Sequence, residues 1–168
     1  MDVGYAHADS PLGPLLVAST DRGLICVSYL EFREEDTTLE RIAARVSPRV
    51  VEAPGKVDGI RRELDDYFEG RLTTFSTPID WALVGDFGRR VLSQTAAIPY
   101  GDVATYGEIA RGIGSPGAAR ATGNALGANP MPIVVPCHRV VASGGKLGGY
   151  TGGIDRKRVL LSLERGGA

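Results

Sequence analysis

The chain has 168 residues, 43% of them hydrophobic and 23% charged, a balance that supports a buried core and excludes a disordered or fibrous chain. Its net charge of -1 hides an asymmetry: residues 1–82 carry nine Lys and Arg against fifteen Asp and Glu, a balance of -6, while residues 83–168 carry ten against five, a balance of +5. The longest apolar runs, such as 131–135, fall far short of the roughly 20 residues of a membrane span, and the first residues lack a basic and apolar leader, so a cytoplasmic protein without a membrane partner is expected.

In the first half, Leu15–Ala18 and Leu24–Tyr29 are apolar runs joined by the turn Asp21-Arg22-Gly23, which predicts a β-hairpin preceded by a turn at Ser10-Pro11-Leu12-Gly13-Pro14. Cys26 falls inside the second run, as a small core residue. Thr37 or Thr38 is expected to cap a helix through Val46, with Leu39, Ile42 and Val46 on its buried face. From Val57 to Glu69 the positions Val57, Ile60, Leu64 and Tyr67/Phe68 recur at helical spacing, and Gly70 stands at the C-cap. The charges Arg61, Arg62, Glu63, Asp65 and Asp66 form its solvated face. A boundary near residues 80–84 divides the chain into 1–82 and 83–168.

The second half opens with a helix over about 86–97, using Phe87, Val91, Leu92 and Ile98, and stops at Pro99-Tyr100-Gly101. Thr105 followed by Glu108 is a capping box, so a helix starts at Tyr106. Ser115-Pro116 then predicts a second helix from Pro116 to about Leu126, and two short helices around a glycine turn form a helix-turn-helix pattern. In the second helix almost every residue is small, with Arg120 its single charge, which suits a close approach to another helix or to a nucleic-acid groove.

Asn129-Pro130-Met131-Pro132 is a rigid turn, after which Ile133-Val134-Val135 predicts a buried strand ended by Pro136. Cys137 follows, beside His138 and two positions before Arg139. Nearby positive charge favours the thiolate, so a reactive cysteine is expected. The only other thiol is distant in sequence, so no disulfide framework is indicated. Val140–Ala142 reads as a returning strand and 148–153 as a glycine-rich loop around Tyr150. A final helix, Ile154 to Glu164, is expected to bury Val159, Leu160 and Leu163.

Together, Asn129-Pro130, Pro136-Cys137-His138-Arg139-Val140-Val141, Gly148-Gly149-Tyr150-Thr151-Gly152-Gly153 and Glu164 resemble the signature of the methylated-DNA-protein-cysteine methyltransferases, the alkylguanine DNA alkyltransferases. Ser10-Pro11-Leu12-Gly13, Ile98-Pro99-Tyr100-Gly101, Tyr106-Gly107-Glu108-Ile109-Ala110 and Ala118-Ala119-Arg120-Ala121 extend the resemblance over nearly the whole chain. It implies an α+β fold: a small N-terminal antiparallel sheet with helices, ribonuclease H-like, as a support domain over 1–82, and a mostly helical domain with a helix-turn-helix over 83–168 that binds DNA and holds the alkyl acceptor. The implied activity is direct reversal of DNA damage. An alkyl group passes once and irreversibly from O6 of guanine in duplex DNA to Cys137, with O4 of thymine a second candidate, and the protein acts as a monomer without metal or other cofactor.

The resemblance also implies roles. Cys137 is the acceptor, activated through a water by His138, which Glu164 orients; Asn129 braces the turn and Lys157 supports the site. Arg120 fills the gap left by the flipped nucleotide, with the second helix lying in the minor groove beside Thr105, Ala121 and Gly123. Tyr106 assists flipping and gives a hydrogen bond or a proton to the base. Tyr150, Thr151, Gly152, Met131, Pro132 and Val140 shape the base pocket. Thr122 stands where the family usually has a branched apolar residue, and Gly127-Ala128 lacks a basic side chain, which predicts fewer phosphate contacts and weaker DNA affinity.

Three other readings compete. A Cys-His hydrolase requires an oxyanion hole, which no motif marks. A metal centre requires ligand spacing that His7, Cys26, Cys137 and His138 lack. A helix-turn-helix protein that binds alkylguanine, or regulates transcription, without chemistry remains the principal alternative.

Overall fold

Leu15–Thr20 is buried at all six positions, so this run is an inner strand of a sheet covered on both faces. It is β2 in the computed structural model of the chain, which describes residues 1–166. β2 pairs antiparallel with β1 (Val3–Ala8) and with β3 (Gly23–Tyr29), and the short β4 (Val50–Glu52) joins β1 in parallel, giving the order β3-β2-β1-β4. The predicted hairpin is β2–β3. β1 carries half-exposed Tyr5 and exposed His7 and escaped the apolar-run criterion.

Helix α1 (Glu35–Arg45) begins earlier than expected. Thr37 and Thr38 lie inside it, the N-cap is Glu34, and acidic Glu35 and Asp36 occupy the first turn, where they suit the positive end of the helix dipole. Helix α2 (Pro54–Phe68) starts on its proline, whose missing N–H costs nothing in a first turn, and packs Val57, Ile60, Leu64 and Tyr67 inward against β1 and β2. Val3, Ala18, Ile25, Cys26, Ile42 and Leu83 form a core cluster, so Cys26 is a packing residue.

The chain divides between Leu83 and Val84 into two compact units. The second contains α3 (Asp86–Ala96), β5 (Ala104–Thr105), α4 (Tyr106–Gly112), α5 (Ala119–Gly127), β6 (Val140–Val141) and α6 (Ile154–Glu164). The architecture is mixed α+β. α5 starts at Ala119 instead of Pro116, because Ser115-Pro116-Gly117 is used up in the turn between α4 and α5. α3 packs against both of these helices. β6 pairs in parallel with β5, Ala104 opposite Val140 and Thr105 opposite Val141.

Two further expectations fail. Ile133–Val135 is buried but forms a turn, with Ile133 in the left-handed region at φ 75°, and Cys137–Arg139 is one turn of 3-10 helix. In α6, whose bounds match the expected ones, Val159 is exposed; the inner face is Lys157, Leu160, Leu161 and Glu164. Among the described residues, no helix is long and apolar enough to cross a membrane.

Candidate functional site

Two elements with strong local signals frame the site. Thr105 accepts from the Glu108 backbone N–H at 3.1 Å while Glu108 accepts from the Thr105 N–H at 3.0 Å, so the capping box forms and places Tyr106 at the first position of α4. Asn129 does for the turn what a capping box does for a helix. Its Nδ2 donates to the Val135 carbonyl at 3.0 Å and its Oδ1 accepts from the Met131 N–H at 2.9 Å, which closes the loop over strained Ile133 and delivers the chain to Cys137.

Cys137 is 5% exposed and lies on the wall of a cavity of about 280 Å3, lined also by Tyr106, Gly123, Leu126, Gly127, Gly149, Tyr150 and Thr151. Residues of the acceptor turn, of α4 and α5 and of the glycine loop therefore meet at one place. Met131, Pro132, Val140 and Gly152 are buried and do not line the cavity. Leu126 and Gly127 were not expected there; their spacing from Gly123, three and four residues, is the signal that puts all three on one face of α5. Arg120 and Ala121 lie exposed on the same helix, while Thr122 is fully buried, so it belongs to the core and not to a DNA-facing surface.

His138 is fully buried, and its Nε2 meets Glu164 Oε2 at 2.7 Å. A carboxylate only accepts, so Nε2 carries the proton and Nδ1 is left with its lone pair; Nδ1 has no hydrogen-bond partner among the described residues. The edge of the imidazole approaches Tyr150, with ring centroids 6.4 Å apart. Burial lowers the imidazole's proton affinity, Glu164 opposes that, and the charges of Arg139 and Lys157 reinforce it, so the ring is neutral.

The expected thiolate is not the resting form. Burial pushes the Cys137 thiol up to about 11, and a hydrogen bond from Asn129, the field of Lys157 and the backbone N–H of Cys137 recover only part of that. Arg139 does not face the sulfur. Its guanidinium turns to Glu164 and to the Ile98 carbonyl. The cation that does act on Cys137 is Lys157, whose buried Nζ donates to the Val140 carbonyl at 2.6 Å and the Gly149 carbonyl at 2.9 Å; burial brings it down to about 8.

Gly149 in turn donates its N–H to the Tyr106 hydroxyl. Burial raises the Tyr106 pKa, the Gly149 bond opposes this, and the proximity of Cys137 adds to it. The glycine loop is thus held from one side by Lys157 and from the other by Tyr106. Among the described residues there is no cluster of His, Cys, Asp or Glu able to hold a metal ion.

Both halves of the chain match known proteins. Residues 3–81 match the model of the 6-O-methylguanine DNA methyltransferase ribonuclease-like domain, and residues 86–166 that of the 6-O-methylguanine DNA methyltransferase DNA binding domain. The chain is 46% identical over 164 residues to a methylated-DNA--protein-cysteine methyltransferase of Mycobacterium bovis, covering 97% of this chain and 93% of the relative. It is 40% identical to one of Methanosarcina acetivorans, covering 95% and 97%. Among solved structures it resembles Mycobacterium tuberculosis OGT in complex with DNA, with a TM-score of 0.83 at 43% identity and coverage of 97% and 93%. With both halves matched and the sequence aligned nearly end to end, the chain belongs to the 6-O-methylguanine DNA methyltransferase family.

Proposed function

We propose that this protein repairs alkylated DNA by direct reversal, taking the alkyl group from O6 of guanine in duplex DNA onto Cys137. The first domain supports and the second binds DNA and reacts. The observation that supports the assignment best is the cavity that brings Cys137 and Tyr106 together, with the buried His138–Glu164 pair placed beside the acceptor.

An O6-alkyl group lies inside the base stack, so the nucleotide must leave the duplex, at a cost of a few kcal/mol. Arg120, exposed on α5, takes the vacated space, and Thr105, Ala121 and Gly123 face the DNA around it. Tyr106, Gly123, Leu126, Gly127, Gly149, Tyr150 and Thr151 receive the base. Met131, Pro132, Val140 and Gly152 act from behind, shaping the loops that carry the lining.

In the transfer, the Cys137 thiol gives its proton to His138 Nδ1 through a water as sulfur attacks the alkyl carbon. The carbon–O6 bond breaks and its electron pair returns to the guanine ring, which takes up a proton with Tyr106 as the donor or hydrogen-bonding partner. The net change is exchange of the thiol proton for the alkyl group: a thioether on the protein and an unmodified guanine. Lys157 stabilises the developing sulfur charge, and Asn129 holds the sulfur in place. A thioether is not hydrolysed, and the second thiol, Cys26, lies in the core of the other unit, so each molecule acts once. We place this work in the cytoplasm, where a free acceptor thiol stays reduced.

The test is transfer of labelled methyl from methylated duplex DNA, followed by the mass of the intact protein. One methyl per molecule on Cys137, abolished by Cys137→Ser, is expected. Multiple turnovers, label on Cys26, or binding without transfer would each exclude the proposal.

A further inference from the structure

Arg139 stands next to the acceptor dyad in sequence, yet its side chain turns away from Cys137. Its buried guanidinium makes three bonds: Nε to Glu164 Oε1 at 2.8 Å, Nη2 to Glu164 Oε2 at 3.0 Å, and Nη1 to the Ile98 carbonyl at 2.8 Å. It also lies 5.7 Å from the centroid of the Tyr100 ring. Glu164 Oε2 is shared, accepting from Arg139 and from His138 Nε2.

Two consequences follow from this geometry. A carboxylate on a single-bonded stem rotates freely, and a two-pronged guanidinium fixes its plane. With Arg139 holding both oxygens, Oε2 is aimed at His138. The second consequence is one of charge. A buried carboxylate touching an imidazole draws a proton onto the ring, and a protonated ring cannot accept one from a thiol. Arg139 neutralises Glu164, so a neutral His138 completes a balanced cluster and a protonated one would add an uncompensated charge to it.

We infer that Arg139 is a positioning residue for alkyl transfer: it orients Glu164 and, by balancing its charge, keeps the Nδ1 lone pair of His138 available to the Cys137 thiol. The inference rests on the transfer reading above. The groups facing His138 are Glu164 and Lys157 from α6, Cys137 and Arg139 from its own turn, Tyr150 from the glycine loop, and Tyr100 beyond the guanidinium. α3, which packs on the same turn, buries Val91, Leu92 and Thr95 and exposes Asp86, Arg89 and Arg90.

The chain has two histidines, so the test is direct. Imidazole NMR of the DNA-free protein, with His7→Gln for assignment, reads the charge and tautomer of His138 against pH in wild type, Arg139→Gln and Arg139→Lys. Single-turnover methyl transfer is measured in parallel. Wild type is expected to hold a neutral ring with the proton on Nε2. Arg139→Gln should raise the midpoint of proton uptake by about one unit or more, moving the acid limb of the rate profile with it. Arg139→Lys keeps the charge without the fork, and is expected to keep the midpoint while slowing transfer about tenfold. An unmoved midpoint in folded Arg139→Gln overturns the inference. If that variant does not fold, Arg139→Lys decides alone: slow transfer with the wild-type midpoint supports it, and wild-type transfer or a raised midpoint overturns it. Failure of the wild type to take methyl from DNA would overturn the transfer reading instead, which the NMR midpoints do not depend on.

Discussion

A side chain on Gly148 would collide with Tyr106: a Cβ built on this glycine stands 2.6 Å from the tyrosine hydroxyl. The glycine also has φ +73°, in the left-handed region that costs other residues about 1–2 kcal/mol. Gly148→Ala is therefore expected to lose about that much stability and to push Tyr106 off the loop, slowing methyl transfer from duplex DNA about tenfold or more. Denaturant unfolding and single-turnover kinetics on one preparation check both; normal kinetics with normal stability would show that the loop yields at no cost.

Arg120→Ala and Tyr106→Phe are expected to impair repair of duplex DNA more than transfer from the free alkylated base. Arg120 is exposed on α5 and Tyr106 opens α4, and the proposed function assigns both to handling the flipped nucleotide. Parallel rates on duplex and free base decide this. Equal losses on the two substrates would assign both residues to chemistry or to folding.

Thr122→Val should stabilise the protein by about 1 kcal/mol. The Thr122 hydroxyl is fully buried with no partner among the described residues, and valine keeps the shape while removing the unsatisfied group. Because the residue faces inward, DNA affinity and its salt dependence should not change. Urea unfolding and a salt series of DNA binding test the two halves of the statement.

Lys157 and Cys137 pull stability in opposite directions with pH. Burial holds Lys157 at about 8, below its ordinary 10.5, so between those values the unfolded chain keeps a proton that the folded chain has released, and stability rises with pH. Cys137, raised from 9.0 to about 11, works the other way above 9. Between 8 and 9 the lysine outweighs the two buried thiols, Cys137 and Cys26 (raised to about 12), which are only partly ionised in the unfolded chain there. There the wild type should gain stability with pH relative to Lys157→Met, as unfolding curves at the two ends would register. The same variant removes the cation acting on the sulfur, so its Cys137 should titrate above about 11 and accept methyl more slowly at neutral pH.

What the sequence made legible was local. The capping box of Thr105 and Glu108, the bounds of α6 and the hairpin of β2 and β3 each declare themselves within a few residues, through caps, glycines and apolar periodicity. Ile133-Val134-Val135 reads as a strand because β-branched residues favour one, and Asn129, bonding across the turn, together with the Val135 N–H to Met131 carbonyl bond, overrides that preference. The electrostatics of Cys137 were hidden for a related reason. Adjacency along the chain says nothing of side-chain direction in a tight turn, so in the sequence Arg139 is a neighbour of the sulfur whereas in the fold it belongs to Glu164, and the influential cation, Lys157, arrives from α6.

The ladder of β5 and β6 has two residue pairs, yet it sets the spacing of the reacting parts. Tyr106 follows Thr105 directly, Cys137 lies three residues before Val140, and the pairing of Ala104 with Val140 and of Thr105 with Val141 fixes these two short tethers side by side. It serves as a datum, in the surveyor's sense. The long excursion between the tethers carries anchors of its own, the buried face of α5 and the Asn129 turn, and one residue inserted in either tether would shift the hydroxyl against the sulfur by a full step of the backbone.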